Sequence, residues 1–134
     1  MKIEEVRDLP PNYREIDKKF KIGNKKIIFA YGNRIYNPSG IEIPPQLRDH
    51  EYVHCYRQKG QPEEWWRAYI DDPVFRLNEE IPAHIAEYEN LIRHGSRNER
   101  RMAAKLVSER LAAPLYGGLI TKAKAKKLLV ASGV

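Results

Sequence analysis

Asp49-His50-Glu51-Tyr52-Val53-His54-Cys55 sets two histidines four residues apart with a glutamate directly after the first. On a helix, at about 100° per residue, His50 and His54 fall one turn apart on one face with Glu51 beside them. Each neutral imidazole offers one nitrogen lone pair, and both can reach a single ion at roughly 2.0–2.1 Å. A third ligand must come from elsewhere in the chain. In a catalytic site of this kind the fourth position is left to water, whose pKa falls to about 7, so that a neighbouring carboxylate can take its proton at neutral pH. The spacing therefore names His50 and His54 as metal ligands and Glu51 as the base.

The bulk properties narrow what surrounds this motif. A chain of 134 residues fits one domain, taken as residues 1–134, with one modest core. With 42% hydrophobic and 31% charged residues it lacks the low hydrophobicity of a disordered chain. No apolar run is long enough to span a bilayer, and Met1-Lys2-Ile3-Glu4-Glu5 is not a signal peptide, so a cytoplasmic protein with no membrane partner is expected. Cys55 is the sole cysteine, which excludes a disulfide framework and a cysteine-based zinc site and leaves His and carboxylates as ligands. Its expected role is packing. The net charge of +6 is a C-terminal property: residues 97–134 carry nine basic and two acidic side chains, against fifteen and sixteen in residues 1–96. Such a cluster suits nucleic acid or another anionic surface, although a solvated helix face is its commoner meaning.

In chain order, residues 1–19 form an irregular or briefly helical lead-in. Phe20–Ile22, Lys26–Tyr31 and Arg34–Tyr36, separated by turns at Gly23-Asn24 and Gly32-Asn33, predict a small antiparallel β-meander, with Ile41–Ile43 as a candidate last strand. Pro45 then opens the motif helix, which Gly60 ends after Lys59. Leu47, Tyr52 and Val53 are assigned to its core side. A short helix over residues 61–70 carries Trp65 and Trp66, read as packing residues. Asp72-Pro73 starts a long helix in which Val74, Leu77, Ile81, Ile85, Tyr88 and Ile92 define the buried stripe, with a kink or restart expected at Pro82. Ser96–Glu99 is a capping box for a helix burying Met102, Ala103, Leu106, Val107 and Leu111. A loop at Pro114–Gly118 leads to a basic C-terminal helix within 119–134, capped by Thr121 and docked by Leu128 and Leu129. The fold class is α+β, a meander followed by a mainly helical bundle.

The long helix should supply the third ligand. Measured from Glu80, its apolar stripe centres near 90°, with Glu80 and His84 on the border at about 0° and 40° and Glu79 turned away at about −100°. Glu87 also lies near the border, so periodicity leaves Glu80 and Glu87 as candidates.

A meander, then a helix with His50-Glu51-x-x-His54, then a helix bearing a glutamate resembles the zincin metallopeptidases, specifically a minimal gluzincin. In that family the third ligand is commonly the Glu of an E-x-x-A pattern, which Glu80-Ile81-Pro82-Ala83 matches and Glu87-Tyr88-Glu89-Asn90 does not. The stretch Arg76–His84 also looks like part of small zincin-like proteins of phages and bacteria. The resemblance covers roughly residues 26–118; the longer zincin signature with a third histidine is absent. It implies Zn²⁺ on His50, His54 and Glu80, with Glu51 as general base and later as proton donor to the leaving amine. It further implies an oxyanion stabiliser, for which His84 and Tyr88 are the local candidates, and a peptide bound along a sheet edge within Ala30–Tyr36. Gln58 is a candidate to hydrogen-bond a ligand from outside the metal shell.

Three functions compete at this level. The first is a zinc peptidase with a peptide or protein substrate. The second is a phage assembly component, located in the virion, that keeps the zincin fold without catalysis. The third is a DNA-associated protein, for which the basic C-terminal third speaks.

Overall fold

The computed structural model describes residues 1–113 and 117–132. Among these the chain is α+β and mainly helical, with one three-stranded sheet. In order, the elements are β1 (Glu4–Val6), α1 (Tyr13–Phe20), β2 (Phe29–Tyr31), β3 (Arg34–Tyr36), α2 (Pro45–Arg57), α3 (Pro62–Asp71), α4 (Pro73–His94), α5 (Arg97–Leu111) and α6 (Lys122–Ser132). No described helix is long and apolar enough to cross a membrane.

The sheet departs from the expected meander. β2 and β3 form the antiparallel hairpin, with Ala30 opposite Ile35 and Gly32-Asn33 as the turn, Gly32 taking a positive φ. The third strand is β1, paired parallel to β3. Phe20–Ile22 is instead the end of α1: Lys21 takes the left-handed conformation and the Asp17 carboxylate accepts from the Ile22 and Gly23 N–H groups, so these residues cap a helix. Residues 1–19 are correspondingly more than a lead-in, because they supply a strand and a helix whose Ile16 is buried. Ile41–Ile43 forms no strand, although Ile43 packs in the core.

Alternation along the short strands feeds two cores. Phe29 and Tyr36 face α1 and α3, packing with Ile16, Ile22, Trp65, Trp66 and Tyr69. Ala30 and Ile35 face α2, packing with Ile43 and Cys55, while Leu47 and Tyr52 press on that cluster. The tryptophans are therefore core residues. Buried Gln58, just past α2, locks the hairpin in place: its Oε1 accepts from the Gly32 N–H at 2.6 Å and its Nε2 donates to the Ala30 carbonyl at 2.9 Å. It is thus committed to backbone and does not support a metal ligand.

α4 touches α2, α3, α5 and α6, and its orientation corrects the expected stripe. The buried residues are Arg76, Glu79, Glu80, Ala83, His84, Glu87, Asn90 and Leu91, a mostly polar face rotated by about 120° from the apolar one. Val74 is exposed, whereas Ile85, Tyr88 and Ile92 are half-buried against a third core of Leu91, Ala103, Val107 and Leu129. The helix runs unbroken past Pro82. Packing on four neighbours outweighs the roughly 3 kcal/mol that an interior proline costs.

The Ser96–Glu99 capping box is present, and Thr121 Oγ1 accepts from the Lys124 N–H. Ala103, Val107 and Leu111 are buried as expected, but Met102, Leu106 and Leu128 are exposed; α5 packs against α4 and α6, and these positions lie outside the faces so covered. Within the expected Pro114–Gly118 loop, residues 114–116 lie outside the described residues, while Gly117 and Gly118 take positive φ.

Gln58 is the test of this arrangement. Gln58→Ala removes two buried hydrogen bonds and opens a cavity, so it should lower stability by about 2–4 kcal/mol in urea unfolding followed by tryptophan fluorescence. Metal affinity of the folded variant should stay within a few-fold of the parent, since the Gln58 side chain makes no hydrogen bond to the histidines and its backbone bond to the His54 carbonyl is kept.

Candidate metal centre

The centre is built where the polar face of α4 meets α2. His50 and His54 are both buried on α2, and Glu80 is buried opposite them on α4. The Glu80 carboxylate lies 3.3 Å from His50 Nε2 and 3.2–3.3 Å from His54 Nε2. Charge-assisted hydrogen bonds are usually 2.7–2.9 Å, whereas four ligands at 2.0–2.1 Å from one ion stand about 3.3–3.4 Å apart at the corners of a tetrahedron. The observed contacts are long hydrogen bonds whose length also matches the edge of such a tetrahedron. These three residues can hold a metal ion.

Neighbours fix His50 and Glu80. His50 Nδ1 donates to Glu87 Oε1 at 2.9 Å, which turns Nε2 towards Glu80. Glu87 is in turn held at Oε2 by Arg110 Nε at 3.2 Å. Tyr69 donates its hydroxyl to Glu80 Oε2. His84 Nδ1 donates to the Glu80 backbone carbonyl at 2.8 Å and stacks edge-on against His50, at 4.5 Å between ring centroids. His54 Nδ1, by contrast, has no hydrogen-bond partner among the described residues.

A second group, His50, His84 and Glu87, can also hold an ion. Its geometry favours support over ligation. The 2.9 Å between His50 and Glu87 is a hydrogen-bond length, and Arg110 already neutralises Glu87.

Charge inside the centre is strongly organised. Burial alone would raise the Glu80 carboxyl, but His54 and His50 outweigh it and hold it well below the usual carboxylate range. Burial likewise opposes a charge on His50, yet Glu80 and Glu87 raise it to about 10, the sign of a cage that attracts positive charge. His84 is pushed down to about 4 by burial and by His50, so it is a neutral imidazole. Half-buried Glu51 is raised by desolvation, against the opposing pull of His50 and His54. Cys55 is buried with its thiol pushed up to about 12 by burial, which makes it an inert packing group.

The sequence-named residues thus separate cleanly. His50, His54 and Glu80 converge, with Glu51 beside them on a cleft of about 210 Å³. Glu79 faces the other way: Arg57 and the Trp65 indole N–H bind it at 2.8–3.0 Å. His84 is fully buried and Tyr88 packs towards α5 and α6, so neither lines the cleft as an oxyanion stabiliser must. Tyr69 and Arg110 do line it, and sequence reasoning missed both. No periodic signal points to either, because each acts across an interface between helices.

Comparison of the chain with protein-family models, curated proteins and solved structures finds no match in any of the three.

The two candidate groups give opposite mutational patterns. Glu80→Gln and His54→Asn should abolish stoichiometric binding in a divalent-ion titration against a chromophoric chelator. Glu87→Gln should weaken it by about 10–100-fold, as expected for a carboxylate that orients a ligand. Tight binding that survives the loss of Glu80 and His54 but not that of His84 would place the ion in the second group.

Proposed function

We propose that this chain is a zinc-dependent metallopeptidase of zincin type, with Zn²⁺ held by His50, His54 and Glu80 and with Glu51 as general base. The observation that carries this reading is the opening of the three-ligand group, with an adjacent desolvated carboxylate, onto one cleft. A structural zinc site is closed by four protein ligands, whereas a catalytic one has three and an open side. The donor set of two imidazoles and a carboxylate suits zinc among the common divalent ions.

When bound, zinc supplies Lewis acidity, polarising a carbonyl and lowering the pKa of water to about 7. The chain's own residues do the rest. Glu51 makes no hydrogen bond or ion pair among the described residues, so its carboxylate is available to take a proton from water in the cleft. Its raised proton affinity also suits the return of that proton to a leaving amine. Glu87 keeps the His50 ring in register and Tyr69 keeps the Glu80 carboxylate aimed, which limits reorganisation during the reaction. Ile28, Phe29, Ile41, Leu47 and Trp66 make the cleft wall apolar, which excludes water and favours an apolar side chain on the substrate.

The peptide is expected along a sheet edge within Ala30–Tyr36, where β3 is central and β2 lies at the edge, but the Ala30 carbonyl already accepts from Gln58 and from the Trp66 indole. A substrate strand therefore cannot pair at that carbonyl without displacing one of them.

Glu51→Gln should lower peptide cleavage by about 10²–10⁴-fold while the protein still binds one equivalent of zinc. Chelation should stop cleavage by the native chain and added zinc should restore it. Undiminished turnover in Glu51→Gln, or no cleavage of any member of a peptide library by the zinc-loaded native chain, contradicts the reading.

A further inference from the structure

Arg110 is the one charged residue of α5 that reaches the cleft. Its Nε forms an ion pair with Glu87 Oε2 at 3.2 Å, while 46% of its side chain remains exposed. Neither terminal nitrogen of the guanidinium makes a hydrogen bond among the described residues. An arginine has two edges that can grip a carboxylate with paired N–H groups. With Nε turned to Glu87, the end-on edge formed by Nη1 and Nη2 stays available, and the ion pair keeps the guanidinium at the cleft.

Its position also says what it does not do. Glu87 bonds His50 on Nδ1, the side of the ring away from Glu80, so Arg110 stands off from the metal group by the breadth of an imidazole. It shares the cleft with Glu51, on whose carboxyl its charge also acts. Charge in the cleft favours an anion there. With a divalent ion on the three ligands, Glu51 and Glu80 match its two charges and Glu87 matches Arg110, which leaves Lys26 unbalanced on the wall.

We propose that Arg110 is the specificity residue of this cleft, gripping a substrate carboxylate through its terminal nitrogens beside the scissile bond. The proposal builds on the peptidase reading and names its substrate class: peptides with a negative group close to the cleaved bond. That carboxylate belongs either to the peptide's own C-terminus or to an Asp or Glu side chain.

The test uses the full chain as zinc-loaded Glu51→Gln, which holds peptides without turning them over. Calorimetry compares acetyl-Leu-Ala with its C-terminal amide, and acetyl-Leu-Asp-Ala-amide with its Asn counterpart. In at least one pair the carboxylate peptide should bind about tenfold tighter, and the pair that shows this identifies the source of the carboxylate. Adding Arg110→Gln should bring that pair to within about twofold, while Lys26→Gln, which removes the same charge elsewhere on the wall, keeps most of the preference. Equal affinities in both pairs, or a preference that survives Arg110→Gln, overturns the proposal. If the native chain cleaves no peptide yet the Arg110-dependent preference is present, the peptidase reading falls and the carboxylate site stands.

Discussion

His50 is clamped between two carboxylates of one helix, Glu87 at Nδ1 and Glu80 at Nε2, and this clamp decides how α2 and α4 pack. Helices usually meet through apolar stripes, but here the buried contact is ionic and aromatic. Burying so many ionisable groups costs several kcal/mol per uncompensated ion, so the interface is tolerable only if each group finds a partner. Arg110 answers Glu87, Tyr69 answers Glu80 and the backbone of α4 answers His84. His54 Nδ1 and the Glu51 carboxylate are left over. Three residues of this cluster, His50, His54 and Glu80, can hold a metal ion, and a divalent cation would compensate the remaining negative charge.

The rest of the fold serves that interface. The hairpin, held by Gln58 and Trp66, closes one side of the cleft, and α3 brings Trp65 and Tyr69 over His54 and Glu80. α5 and α6 cover the far side of α4 with a small third core, and α5 contributes Arg110. His50 and His54 are therefore carried by a helix packed between α4 and the hairpin, and Glu80 by a helix packed against four others. Such rigidity is what a preorganised site requires.

How much of this was legible in the sequence follows from the physics of each signal. The i, i+4 pair His50 and His54, the proline start of α2 and the Ser96 capping box are local, and local rules found them. Glu80 was reached through a motif, since periodicity left it level with Glu87. The reading of α4 misplaced its inward face because Ile81, Ile85, Tyr88 and Ile92 are the obvious stripe, yet the polar stripe from Arg76 to Asn90 is more deeply buried. Hydrophobic periodicity assumes that apolar residues point inward, and a helix built around a charged site breaks that assumption. β1 was invisible for another reason: three residues with two glutamates carry no strand signal, and only pairing with β3 makes them one.

The most direct test is crystallographic. Crystals of the full chain grown with equimolar zinc, measured at the zinc absorption edge, should show one anomalous peak at about 2.0–2.2 Å from His50 Nε2, His54 Nε2 and a Glu80 oxygen, with no fourth protein ligand. A peak elsewhere in the molecule, a fourth side chain closing the shell, or no bound zinc at all would contradict the account.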